Sequence, residues 1–162
     1  MKRGFTLIET IVYLALFSIL MGGAVVAAFN IFENAGRQET RTMLEEEGAF
    51  LMAKIDWAVS NATFVNQPIG YGPLLWVTTG SGLVIINLPV ASTSIVIQDG
   101  VVGPYALNNS NVSVTRLSFL HTLASGNGIN PESVSASTTL TAKTPTGALI
   151  SEDFSTVMYL HH

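Results

Sequence analysis

Residues 1–32 read MKRGFTLIETIVYLALFSILMGGAVVAAFNIF, and across residues 5–32 the one charged side chain is Glu9. This run decides the architecture. The 23 residues from Thr10 through Phe32 make a helix of about 34 Å, enough to cross the ~30 Å apolar layer of a bilayer. Lys2 and Arg3 ahead of the run predict a cytoplasmic start, with the rest of the chain outside. Glu9 is the anomaly, because a carboxylate held at the centre of a lipid-embedded helix costs roughly 2.5–3.5 kcal/mol, and somewhat less near the interface. Gly22 and Gly23 each cost up to about 1 kcal/mol of helix propensity and predict local softening.

The helical pattern continues outward through ENAGRQETRTMLEEEGAFLMAKIDWAVSNA, residues 33–62, which holds no proline and only two glycines, Gly36 and Gly48. Glu33, Arg37, Arg41 and Glu45 recur every four residues on one solvated face and offer two opposite-charge contacts. Leu44, Leu51, Ile55, Ala58 and Ala62 follow the four-and-three spacing of an apolar stripe, flanked by Met43, Phe50 and Trp57. One helix from Phe5 to about Asn61 would be a rod of roughly 85 Å. The alternative is two helices with a break near Gly36.

After NQPIGYGP, residues 66–73, the vocabulary becomes short β-prone runs between turn residues. LLWV, GLVIINL, TSIVIQ, VVGPYAL, VSVTRLSFLHTL, SVSASTTLTA and FSTVMYL are the candidate strands. Asp99 and Gly100 between IVIQ and VV read as a two-residue hairpin loop. In SVSASTTLTA, Val134, Ala136, Leu140 and Ala142 share one face and Ser and Thr the other. A sheet with one dry face needs a cover, and the stripe on the outer half of the helix supplies it. The expected fold is therefore α+β, a long N-terminal helix packed on a C-terminal antiparallel β-sheet head. ASGNGINPES and KTPTGALISED read as exposed loops.

Composition excludes several classes of function. The formal net charge is −4 with seven scattered Lys and Arg, which lacks the basic footprint of a nucleic-acid binder. There is no cysteine and there are three histidines, two of them His161 and His162, so thiolate metal sites and cysteine nucleophiles are absent. No phosphate loop, paired acid and base, or nucleophile elbow is present. His121 reads as a structural or surface histidine with no carboxylate partner evident. Asp99, Asn108, Asn109 and Asn111 supply oxygens, but calcium wants 6–8 ligands and turn formation is the better reading. Glu45, Glu46 and Glu47 read as a solvated helix face. Neither metal nor cofactor is expected.

Three readings compete for the N-terminus. A secretory signal would be cut after Ala28. A plain single-span anchor would be left whole and would belong to a receptor or enzyme. Neither accounts for Glu9. A cut between Gly4 and Phe5 does, because it creates an α-amino group one helical turn from Glu9, able to pair with it within a chain or between staggered chains.

KRGFTLIE followed by the apolar run resembles the leader and cleavage motif of type IV prepilins and type II secretion pseudopilins. The resemblance implies that a membrane prepilin peptidase cuts after Gly4 and N-methylates Phe5, and that Glu9 registers each subunit against a neighbour's N-terminal amine. It divides the chain into a leader at 1–4, an assembly helix at 5–32, an amphipathic continuation at 33–66 and a head at 67–162. The segments GAFLMAKIDWAVSNA, VTRLSFLH, PESVSASTTLT and FSTVMYL are similar to minor pilins and J-class pseudopilins. The implied role is a structural subunit of a pilus or secretion filament, minor or alternatively major, and not an enzyme. Its implied partners are the peptidase, other pilin or pseudopilin subunits, the inner-membrane assembly platform and, before assembly, membrane lipid. Its implied location is the inner membrane with the head outside, then an extracytoplasmic filament.

Overall fold

A computed structural model describes residues 6–125 and 131–160. Gly4, Phe5 and the terminal histidine pair lie outside the described residues. One unbroken helix, α1 (Leu7–Ser60), carries the chain through both the apolar run and the amphipathic segment. No break occurs at Gly36. Asn61 ends the helix, its backbone N–H and its side-chain Nδ2 both donating to the Trp57 carbonyl, at 3.2 and 2.7 Å. Such bonds satisfy a carbonyl that has no partner further along the helix.

The helix ends about where the periodicity placed its end, and residues 62–66, assigned to the amphipathic continuation in the domain division, instead open the first strand. The strands are β1 (Ala62–Gln67), β2 (Tyr71–Gly72), β3 (Leu74–Thr79), β4 (Gly82–Asn87), β5 (Val96–Asp99), β6 (Val102–Ala106), β7 (Val112–Thr122), β8 (Ser133–Lys143) and β9 (Leu149–Tyr159). They form two antiparallel sheets, one in the order β1-β3-β4-β5-β6 and the other in the order β2-β7-β8-β9. The expected dry face of β8 is realised, with Val134, Ala136, Leu140 and Ala142 buried. Thr138 lies among them, its hydroxyl donating to the Arg116 carbonyl at 2.8 Å.

A bulge between Val114 and Arg116 explains the odd parity of β7. Before it, Val112 and Val114 are buried; after it, Leu117 and Phe119 are. One extra residue flips the side-chain alternation. Without it Arg116 would enter the core.

Two other expectations shift. The β5–β6 hairpin forms one residue later than the sequence suggested, because Asp99 pairs with Val102 and the loop is Gly100 and Val101. Gly100 sits at φ +58°, the position where a two-residue turn with a positive-φ first residue requires glycine. Much of KTPTGALISED is strand rather than loop, since β9 begins at Leu149. Its face is legible only once the helix is in place, with Ile150, Phe154 and Met158 turned toward the core.

One core joins the three layers. From the helix it takes Leu44, Leu51, Ile55, Ala58 and Val59; from the first sheet, Leu75, Val77, Val84 and Ile86; from the second, Phe119 and Leu140 among others. Phe50 and Trp57, expected to flank the stripe, are largely exposed and lie either side of Lys54, whose Nζ is 5.8 Å from each ring centroid. This is within cation–π range.

Candidate functional site

The helix has two halves with opposite environments. From Thr40 onward it buries a continuous stripe in the head. Between Leu7 and Phe32 it packs against no part of the head, and its most apolar 18-residue window, with a mean hydropathy of 2.3, has no buried residue. Large side chains from Leu7, 80% exposed, to Phe32, 74% exposed, stand free. An apolar surface of that extent is stable only against lipid or against other apolar helices.

The polar groups along this half are arranged for such surroundings. The Thr10 hydroxyl donates to the Thr6 carbonyl at 3.1 Å and the Ser18 hydroxyl to the Leu14 carbonyl at 2.8 Å. Both hydroxyls are satisfied inside the helix, as an apolar medium requires. Glu9 is different. It lies in the first turn, half-buried, where a negative charge complements the helix dipole. Thr6, Leu7, Ile8 and Glu9 also spell a capping-box sequence, a signal the sequence reading passed over. The box does not close: Thr6 has the extended backbone of an N-cap but makes no side-chain cap bond. Among the described residues Glu9 makes no hydrogen bond or ion pair. The other two sequence-marked positions, Gly4 and Phe5, lie outside the described residues.

The head grips the helix through close approach and charge. A Cβ on Gly48 would run into the ring of Phe154, and one on Gly36 would come within 3.2 Å of the Pro145 ring. Both helix glycines are therefore seats for the β8–β9 hairpin. Of the two expected charge contacts along the helix, Glu33 and Arg37 pair at 2.9 Å. Arg41 turns instead to Glu152 of β9, 3.8 Å away. Of the acidic triplet, Glu45 and Glu46 are exposed, but Glu47 accepts from the Asn109 backbone N–H at 2.7 Å and from its Nδ2 at 3.1 Å.

The asparagine cluster builds turns. Buried Asn108 accepts from the Ile95 N–H at 2.9 Å and donates to the Val112 carbonyl at 2.7 Å. Asn109 Oδ1 accepts from the N–H groups of Asn111 and Val112. Asp99 belongs to the separate β5–β6 hairpin. Among the described residues no three His, Asp or Glu side chains gather as a metal would need.

His121 has a carboxylate partner that was not evident in the sequence. The β7 bulge turns it inward, and its Nε2 lies 2.8 Å from Glu132 Oε1. Its backbone N–H donates to the Gly70 carbonyl at 2.8 Å, while Leu160 N–H donates to the Glu132 carbonyl at 3.0 Å. The pair ties four chain segments together at one end of the second sheet. Eleven residues of separation hid the partner from sequence inspection.

Residues 1–25 match the prokaryotic N-terminal methylation motif. The match supports the prepilin-type family and a precursor of the pilin or pseudopilin type, and the long helix on antiparallel sheets is a pilin-like α+β architecture. No curated protein and no solved structure matches the chain. The motif and the single apolar helix fit a protein anchored by one membrane pass.

Proposed function

We propose that this protein is a structural filament subunit, made as a membrane-anchored precursor and polymerised through its N-terminal helix. Prepilin peptidase cuts between Gly4 and Phe5 and the new Phe5 amine is N-methylated. In the membrane the apolar half of α1 lies in lipid. In the filament the same surface packs against the corresponding helices of neighbours. Glu9 then sets the register, because a chain that enters out of step leaves a carboxylate and an amine unpaired in a low-dielectric core.

The observation that carries this reading is the exposed apolar half of a helix whose other half is locked into a folded head. A secretory signal cut after Ala28 would sever that helix in its middle. The head would form the filament surface or tip, and the subunit is a minor pilin or pseudopilin of a type IV pilus or type II secretion filament.

Mass spectrometry of the N-terminal peptide from native membranes or sheared surface fractions tests the proposal. An N-methylated Phe5 terminus is expected. A terminus at Phe29, or an intact leader in a strain with active peptidase, would overturn it.

A further inference from the structure

Phe32 closes the apolar run, and Gly36, the seat of Pro145, follows four residues later, about 6 Å further along the helix axis. The headgroup region on each side of a bilayer is roughly 5–7 Å thick. The turn at residues 144–148 between β8 and β9 is thus held beside the helix at headgroup height. Leu149, 70% exposed, stands next to it. Open grooves of about 570 and 610 Å³ run along the two sides of the helix here, and Leu149 lines both.

We propose that this turn is a foot that rests among lipid headgroups while the subunit is membrane-bound, fixing the height of the head above the bilayer. This rests on the membrane-anchored reading above. The chemistry of the foot suits a zwitterionic, half-wet layer. Pro145 and Leu149 supply apolar area, and exposed Thr146, whose hydroxyl is braced 3.0 Å from that of buried Thr144, supplies a polar group. Arg37, Arg41 and Lys143 are matched at this level by Glu33, Glu39 and Glu152, with two of the cations in ion pairs. The contact therefore needs no anionic lipid. The opposite end of the head stands well clear, since Asp99 and Val102 share a cleft with Lys54 and Trp57, and Lys54 is about 27 Å beyond Gly36 along the helix.

The chain has no cysteine, so single labels can be placed without removing any residue. The full-length protein in phosphatidylcholine vesicles would carry a fluorophore at Ala24→Cys, Thr146→Cys or Val101→Cys. Nitroxide lipids labelled at mid-chain or at the headgroup would serve as quenchers. Expected are loss of Ala24 emission with the mid-chain nitroxide, loss of Thr146 emission with the headgroup nitroxide, and no loss at Val101. Quenching at Ala24 without quenching at Thr146 would overturn the foot and leave the anchor standing. Equal quenching at Thr146 and Val101 would mean a head lying on its side, and would also overturn it. No quenching at Ala24 would remove both readings together.

Discussion

The ring of Phe154 occupies the space into which any side chain on Gly48 would project. Helix and edge strand approach each other through a position that only glycine can fill, so the register between α1 and β9 is set at this point. Gly48→Ala is expected to lower stability by about 1–3 kcal/mol, the usual cost of overpacking a filled site. Phe154→Leu should recover part of that loss when combined with it. Denaturant unfolding of both single variants and the double variant in detergent measures the coupling. Strictly additive losses would show that the two residues do not share the space.

Asn108 is a buried polar brace in the head. Its side chain receives the Ile95 N–H and donates to the Thr93, Asn109 and Val112 carbonyls, joining the loop segment that leads into β5 to the start of β7. Asn108→Ala is expected to cost about 1–3 kcal/mol, because buried backbone groups lose their partners. Asn108→Asp should not restore stability, since a carboxylate can accept from Ile95 but cannot donate. An Asp variant as stable as the parent would count against this account.

Tyr71 carries the expected pH dependence. Hydrogen bonding with Ser118, and next with Arg116, holds its phenol below the ordinary tyrosine value. A depressed folded value means that ionisation is easier in the folded state, so its contribution is present at pH above the unfolded value. That contribution is lost as pH falls through the folded value. Because the ring is exposed, the effect belongs to spectroscopy more than to stability. Ultraviolet-difference titration against a Tyr71→Phe control should locate the phenol, and Arg116→Ala should move its titration upward.

Glu9→Ala should leave the protein in the membrane but weaken its entry into filaments. A registration contact of about 1–2 kcal/mol corresponds to roughly 5–30-fold less incorporation. Quantifying the subunit in membrane and sheared fractions gives both readouts at once. Unchanged incorporation would remove Glu9 from the assembly mechanism.

Much of this was legible in the chain because it depends on periodicity. The Leu44, Leu51, Ile55 and Ala58 stripe and the alternation of β8 are local patterns, and each faces the core as read. What escaped depends on contacts distant in sequence. Gly36 looked like a weak point in the helix because glycine propensity is local, whereas its seat for Pro145 lies more than a hundred residues away in sequence. Arg41 has Glu45 one turn away and finds Glu152 across the fold. The inward turn of His121 follows from a bulge that no residue in β7 announces. At the N-terminus the Thr6 to Glu9 pattern would normally cap a helix, and its unclosed geometry leaves the carboxylate unspent.

Because α1 runs without interruption from Leu7 to Ser60, the head and Glu9 share one angular phase. With about 100° of rotation per residue, Glu9 and Gly48 lie roughly 60° apart around the axis. Inserting a single residue between them would swing the head by about 100° relative to the carboxylate while raising it only ~1.5 Å. The length of the helix therefore sets a compass bearing: under the proposed registration it decides which flank of the head a neighbouring subunit meets once its N-terminus has found Glu9.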